Sequence, residues 1–270
     1  MRGLLVCVLL ICLTVQARAE IPLVLQGQAA EGGLLIGKTS PGAQITLDGQ
    51  PVPMAPDGHF LLGFGREAAG IKHLQIAHEG DRKDHEISVT ARSFRIERVD
   101  GLPERKVTPD PVAIARINQE KAEMAEARQT TDSSPMFLSG FTWPAVGRLS
   151  GVYGSQRILN GKPRRPHFGT DVAAPEGTPV HAIADGRVIF VHAGMFFNGK
   201  TVLIDHGLGL RSVYIHLSET TVTAGTMVKG GMKIGAIGAT GRATGPHLHF
   251  GLTLDETPID PELVLGPMPQ

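Results

Sequence analysis

Punctuation constrains this fold most: from residue 21 onward, turn chemistry interrupts the chain so often that one stretch alone has room for a long helix. In the first part, apolar runs at 34–37, 44–47, 60–64, 73–78 and 85–90 are parted by Pro41-Gly42, Asp48-Gly49 and Asp57-Gly58. Within them Gln44-Ile45-Thr46-Leu47 alternates polar with apolar, as a half-buried strand does. Short strands at such spacing predict a small β-sandwich. Beyond Phe137 further runs follow at 179–184, 187–192, 201–205, 211–216, 233–237 and 247–254, separated by glycines. The expected class is all-β: an N-terminal β-sandwich, a connecting helix and a C-terminal antiparallel β domain.

The helix is expected at 111–128. Asp110-Pro111 supplies an N-cap and a proline at the first helical position, and Ile114, Ile117 and Met124 recur at helical spacing among charged residues. The polar run 130–135 reads as a linker. At the other end, Arg2, an apolar run at 4–15 and Ala17-Arg18-Ala19 have the pattern of a cleavable export signal, 1–19, too short to span a membrane comfortably. The expected divisions are therefore 1–19 signal, 20–100 sandwich, 101–135 connector and linker, and 136–270 C-terminal domain. Both cysteines, Cys7 and Cys12, fall in the signal, so the exported chain must hold its core without disulfides. The whole chain has 26 basic and 26 acidic side chains; losing Arg2 and Arg18 leaves a net charge near −2. No basic excess or run favours a nucleic-acid partner.

The chemistry is concentrated in histidines. His247 and His249 are one residue apart in Gly245-Pro246-His247-Leu248-His249-Phe250, and a His-x-x-x-Asp element, His167 and Asp171, lies upstream. On an extended strand His247 and His249 project to one side, so one can bind a metal while the other faces a substrate. A catalytic zinc site takes three protein ligands and leaves a position for water, whose pKa falls from about 16 to about 7. His167, Asp171 and His249 satisfy that count.

The C-terminal half resembles the lysostaphin-type (LytM-like) zinc endopeptidases. The resemblance is carried by Gly151-Val152-Tyr153-Gly154, His167-Phe168-Gly169-Thr170-Asp171, Val180-His181-Ala182, Asp185-Gly186-Arg187-Val188, Tyr214-Ile215-His216-Leu217 and the run from Thr240 to Phe250. It implies one zinc ion per chain on His167, Asp171 and His249, with His216 and His247 as the non-ligand histidines of the active site. It also implies hydrolysis of peptide bonds, cross-links or stem peptides, in bacterial peptidoglycan. With the export signal, it points to the periplasm or to secretion, with no stable membrane insertion after cleavage.

Candidate substrate contacts are Arg157, Arg164 and Arg165, whose guanidinium groups suit carboxylates. Asn198, beside Phe196 and Phe197, is another, and Tyr214 is expected to share the face of His216 two residues on. His206, before a glycine turn, is read as a structural hydrogen-bonder. Two other functions fit the same motifs: a non-catalytic activator of a cell-wall amidase, which would have lost metal ligands, and a peptidase acting on a protein.

Overall fold

The computed structural model describes residues 20–102 and 104–269; the expected signal and its cysteines lie outside the described residues. The N-terminal region carries β1 (Val24–Gly27), β2 (Leu34–Lys38), β3 (Gln44–Leu47), β4 (Gln50–Pro51), β5 (His59–Gly63), β6 (Gly70–His78) and β7 (Asp81–Val89). They form two sheets, ordered β1-β2-β5 and β4-β3-β6-β7. Leu35, Phe60 and Leu62 meet Ile45, Leu74, Ile76, Ile87 and Val89 in one buried cluster. Successive side chains of β2 and β5 point to opposite faces, and here both faces are buried. Leu34 and Leu61 leave this cluster and join the core of the C-terminal domain. Each fully buried leucine contributes about 1.5–3 kcal/mol, so the β2-β5 sheet is attached to the rest of the molecule by its back.

The strand β8 (Ile96–Val99), expected within the N-terminal unit, instead lies parallel to β10 (Gln156–Leu159). After β8 come α1 (Glu104–Val107) and α2 (Pro111–Ala127). The expected cap is present: the Ala113 N–H donates to Asp110 Oδ1 at 2.8 Å, and Pro111 opens α2. The inward face differs from expectation, because Ile114 is 46% exposed while Ile117 and the charged Glu120 are buried. Glu120 is tolerated there because it is paired. Its carboxylate accepts the Phe196 N–H through both oxygens, at 3.0 and 2.8 Å, and holds Arg116 Nε at 2.7 Å.

The C-terminal domain adds β9 (Arg148–Gly151), β11 (Lys162–Pro163), β12 (Thr170–Ala173), β13 (Pro179–His181), β14 (Gly186–Met195), β15 (Gly199–Asp205) and β16 (Leu210–Thr220). It continues with β17 (Met227–Val228), β18 (Lys233–Ile237), β19 (Leu248–Leu254), β20 (Thr257–Ile259) and the short helix α3 (Pro261–Leu265). The main sheet runs β17-β14-β15-β16-β19-β12-β9 and is antiparallel throughout. Its β16 is a fork. Residues 210–215 pair with β19, whereas Leu217, Glu219 and Thr220 pair with β18. Between the two stretches sits His216, with φ +65°. A non-glycine residue in the left-handed region is uncommon and costs energy, so surrounding bonds must hold it. Those bonds are present: its N–H donates to Asn198 O and its Nδ1 lies 2.8 Å from Thr240 O.

Candidate metal centre and active site

The fork in β16 opens the sheet beside the strand that carries the histidine pair. Asp171 on β12 and His249 on β19 are direct cross-strand partners, and His249 is also opposite Ile215 of β16. His167 reaches the same point from the loop before β12. Its N–H donates to Ser155 O, its carbonyl accepts the Gly154 N–H, and its Nδ1 lies 3.2 Å from Val152 O. A carbonyl only accepts, so Nδ1 carries the proton and Nε2 presents a lone pair.

Three ligand-type atoms converge there. His167 Nε2 is 2.8 Å from His249 Nδ1 and 3.1 Å from Asp171 Oδ1, which in turn is 2.7 Å from His249 Nδ1. One proton can satisfy a single contact among the three, whereas a metal cation would satisfy all of them at once. Ligands on a tetrahedral zinc with bonds near 2.0–2.1 Å stand about 3.3 Å apart, so the three atoms need to part by only a few tenths of an ångström. The donor set therefore fits zinc in number, type and spacing.

Two glycines keep this space open. A Cβ on Gly151 would stand 2.4 Å from Asp171 Oδ2, and one on Gly169 would stand 2.7 Å from His249 Cε1. Both belong to motifs noted in the sequence, yet nothing local marks them as the two that face the cluster.

The electrostatics suit ligation. Burial opposes ionisation of Asp171, but the adjoining His167 and His249 outweigh it and hold the carboxyl well below its ordinary range. Burial lowers His249 to about 4 despite the nearby Asp171 carboxylate. Burial, then the neighbouring His247 and His249, lower His216 to about 3. Asp171 is thus anionic and both imidazoles neutral near pH 7.

His216 and His247 form a second station next to the first. Their ring centroids are 4.8 Å apart, and His216 lies 6.4 Å from His249. His247 precedes β19 and is held by a bridge to Gly238. Its Nδ1 lies 2.9 Å from Gly245 O, as that of His216 lies near Thr240 O. A carbonyl only accepts, so each ring donates through Nδ1 and turns Nε2 away from that carbonyl.

Other expected contacts divide. Arg164, Arg165 and Asn198 line the groove beside His167, His216 and His249. Arg157 lines it too, but its guanidinium is turned to Glu97 and to Asp171 Oδ2. Tyr214 is a correction: it is fully buried, and its hydroxyl is engaged by the Ile183 N–H and by Ser212. The positive φ of His216 breaks the alternation that would have placed residues 214 and 216 on one face. His206 joins the same buried network through Ser212 and Asp185 O, away from the groove. Phe197 forms groove wall, while Phe196 is absent from the lining. One residue the sequence did not single out is Arg242, which lines the groove and stacks on Phe197 at 4.3 Å. Burial, together with the charges of Arg157 and Arg164, lowers it to about 10.

An antiparallel β domain with a His-Asp-His cluster at a sheet fork presents a metal-binding donor set, and comparison with known proteins points to a family. Residues 165–261 match Peptidase family M23. Residues 165–261 thus carry an M23 domain, similar to the lysostaphin-type (LytM-like) peptidases. It is 43% identical over 106 residues to a Neisseria meningitidis DD-carboxypeptidase/endopeptidase Mpg, covering 39% of this chain and 24% of that one. It is 44% identical over 95 residues to a Vibrio cholerae peptidoglycan DD-endopeptidase ShyB, covering 35% and 22%. The chain thus spans about a quarter of the length of these curated relatives. Over its wider extent it resembles a Pseudomonas aeruginosa structure assigned to peptidase M23, with TM-score 0.67 and 29% identity over 88% of this chain and 96% of that one.

Proposed function

We propose that this protein is an exported zinc endopeptidase that hydrolyses peptide bonds, cross-links or stem peptides, of bacterial peptidoglycan. The observation that carries the reading is the convergence of three ligand-type atoms, on the buried His167 and Asp171 and the half-buried His249, beside two imidazoles whose Nδ1 atoms face carbonyls. His167 through Nε2, His249 through Nδ1 and Asp171 through Oδ1 would hold one zinc ion. When bound, zinc would polarise the scissile carbonyl and acidify a water.

The protein's own groups do the rest in this reading. His216 Nε2 and His247 Nε2 are the proton-transfer and oxyanion-stabilising positions. His216 is neutral through the physiological range, so its lone pair is available without prior deprotonation. Arg164, Arg165 and Asn198 form the substrate wall, and guanidinium groups there favour a peptide bearing free carboxylates. The division into an N-terminal unit, a connector and a C-terminal peptidase domain belongs to the same proposal, as does the periplasm or the exterior as the site of action. No helix among the described residues is long and apolar enough to cross a membrane. The complete ligand set argues against the non-catalytic activator.

Digestion of purified cell wall followed by mass spectrometry of the muropeptides tests activity and bond together. The expected result is cleaved cross-links or stems with the wild-type protein, and none after chelation or with His249→Ala. Equal product from His249→Ala would overturn the reading.

A further inference from the structure

The metal cluster is held from a direction that lies outside the family match. Asp171 divides its two oxygens: Oδ1 faces the imidazoles, while Oδ2 lies 2.5 Å from Arg157 Nη2. Arg157 is fixed in turn by Glu97, with its Nε 3.0 Å from Glu97 Oε2. Ser155 Oγ adds a 3.2 Å bond to the same oxygen. Glu97 and Arg157 are register partners in the parallel pair β8-β10, so the connecting strand sets the glutamate opposite the arginine. Residue 97 precedes the peptidase match at 165–261.

We propose that Arg157 is a positioning residue for the metal centre, oriented by Glu97 of the connecting strand, rather than a substrate contact; this rests on the zinc reading above. A carboxylate can offer one oxygen or two to a metal. Arg157 engages Oδ2 and so leaves Oδ1 as the single donor, aimed at His167 and His249. A guanidinium is suited to this because its planar fork serves two carboxylates at once, through Nε to Glu97 and through Nη2 to Asp171. Glu97 also balances charge. An unpaired cation beside a dication would oppose metal binding, and Glu97 neutralises it while keeping its geometry. Outer partners of this kind typically alter metal affinity by about 10- to 100-fold when removed.

Removing Arg157 and Glu97 together deletes equal and opposite charges, so the pair's net field changes little while the orienting bond disappears. The test uses full-length wild type, the double variant R157M/E97Q, and E97Q alone, each stripped of metal. Zinc affinity is read by competition with a chromogenic chelator, with the visible spectrum of the cobalt-loaded proteins as a second readout. Thermal unfolding of the stripped proteins checks the fold. The expected result is affinity lower by about 10- to 100-fold in the double variant, with a changed cobalt spectrum and an intact fold. Glu97→Gln keeps a side chain of the same shape, and weakened zinc binding in it supports the proposal even if the double variant unfolds.

Wild-type affinity and spectrum in the folded variants would overturn the proposal. A raised KM on cell-wall peptide at unchanged zinc affinity would do so as well, returning Arg157 to the substrate wall. Failure of the wild type itself to bind zinc would overturn the metal reading on which the proposal stands.

Discussion

Acid should destabilise this protein through a histidine that takes no part in the proposed chemistry. His206 is completely buried; its Nδ1 lies 2.7 Å from Asp185 O and its Nε2 2.7 Å from Ser212 Oγ. The Asp185 carbonyl accepts the Nδ1 proton and fixes the tautomer, while complete burial disfavours a charged ring. Burial, against smaller opposing effects of Asp185, lowers its pKa from 6.5 to about 4. Below pH 6.5 the unfolded chain protonates this residue while the folded chain does not. The contribution is therefore fully present above pH 6.5 and is lost as pH falls toward 4. The full loss corresponds to about 3 kcal/mol, with about 2 kcal/mol already gone at pH 5. The assay is urea unfolding followed by circular dichroism, on wild type and His206→Gln, both stripped of metal, at about pH 7.5 and about pH 5. Other buried histidines contribute to the wild-type slope, so the informative quantity is the difference between the proteins. His206→Gln should be less stable near neutrality but should lose about 2 kcal/mol less on acidification. Equal losses would show that burial of His206 does not couple folding to protons.

His216→Ala and His247→Ala should each keep zinc yet lose about 10²- to 10⁴-fold in wall hydrolysis, measured with metal content on the same preparations; near-normal turnover in both would remove them from the chemistry. Glu120→Ala should cost about 1–3 kcal/mol in urea unfolding, because it leaves the Phe196 N–H and Arg116 without the carboxylate that pairs them. It should also slow hydrolysis at unchanged zinc content, since the adjoining Asn198 carbonyl holds His216; unaltered turnover would uncouple α2 from the active site. A chain beginning at Ser134 lacks Glu97 and should bind zinc about 10- to 100-fold more weakly than the full chain by chelator competition; equal affinity would show that β8 adds nothing to the metal centre.

The candidate ligand set was legible because each half is local: a His-x-x-x-Asp element leads into β12 and a His-x-His pair into β19. The cap of α2 was legible for the same reason, since Asp110 acts on the first turn that follows it. What escaped reading depends on partners distant in sequence or on one unusual dihedral. Tyr214 was placed on the groove face by counting alternation, and the count fails at His216, where φ turns positive. Ile114 has the helical spacing of a buried residue, but the inward position is taken by Glu120, whose partner Phe196 is 76 residues away. In Leu34-Leu35 two adjacent apolar residues are both buried, which requires covered faces on both sides of β2. That pattern is visible in the sequence, yet it does not say what covers the second face.

The connector shows most clearly how the β-rich units are tied together across an expected boundary. Composition changes near residue 100, where short strands give way to a helix-forming stretch, and a reader of local pattern divides the chain there. Contacts nevertheless cross that boundary: β8 pairs with β10, Glu97 holds Arg157, Glu120 holds the Phe196 turn, and Leu34 and Leu61 join the C-terminal core. Each contact joins a segment outside residues 165–261 to one that shapes the groove or its support. On the proposal above, Asp171 is oriented through Arg157 by the strand beside β10, so a change confined to β8 should alter the metal centre without altering its ligands.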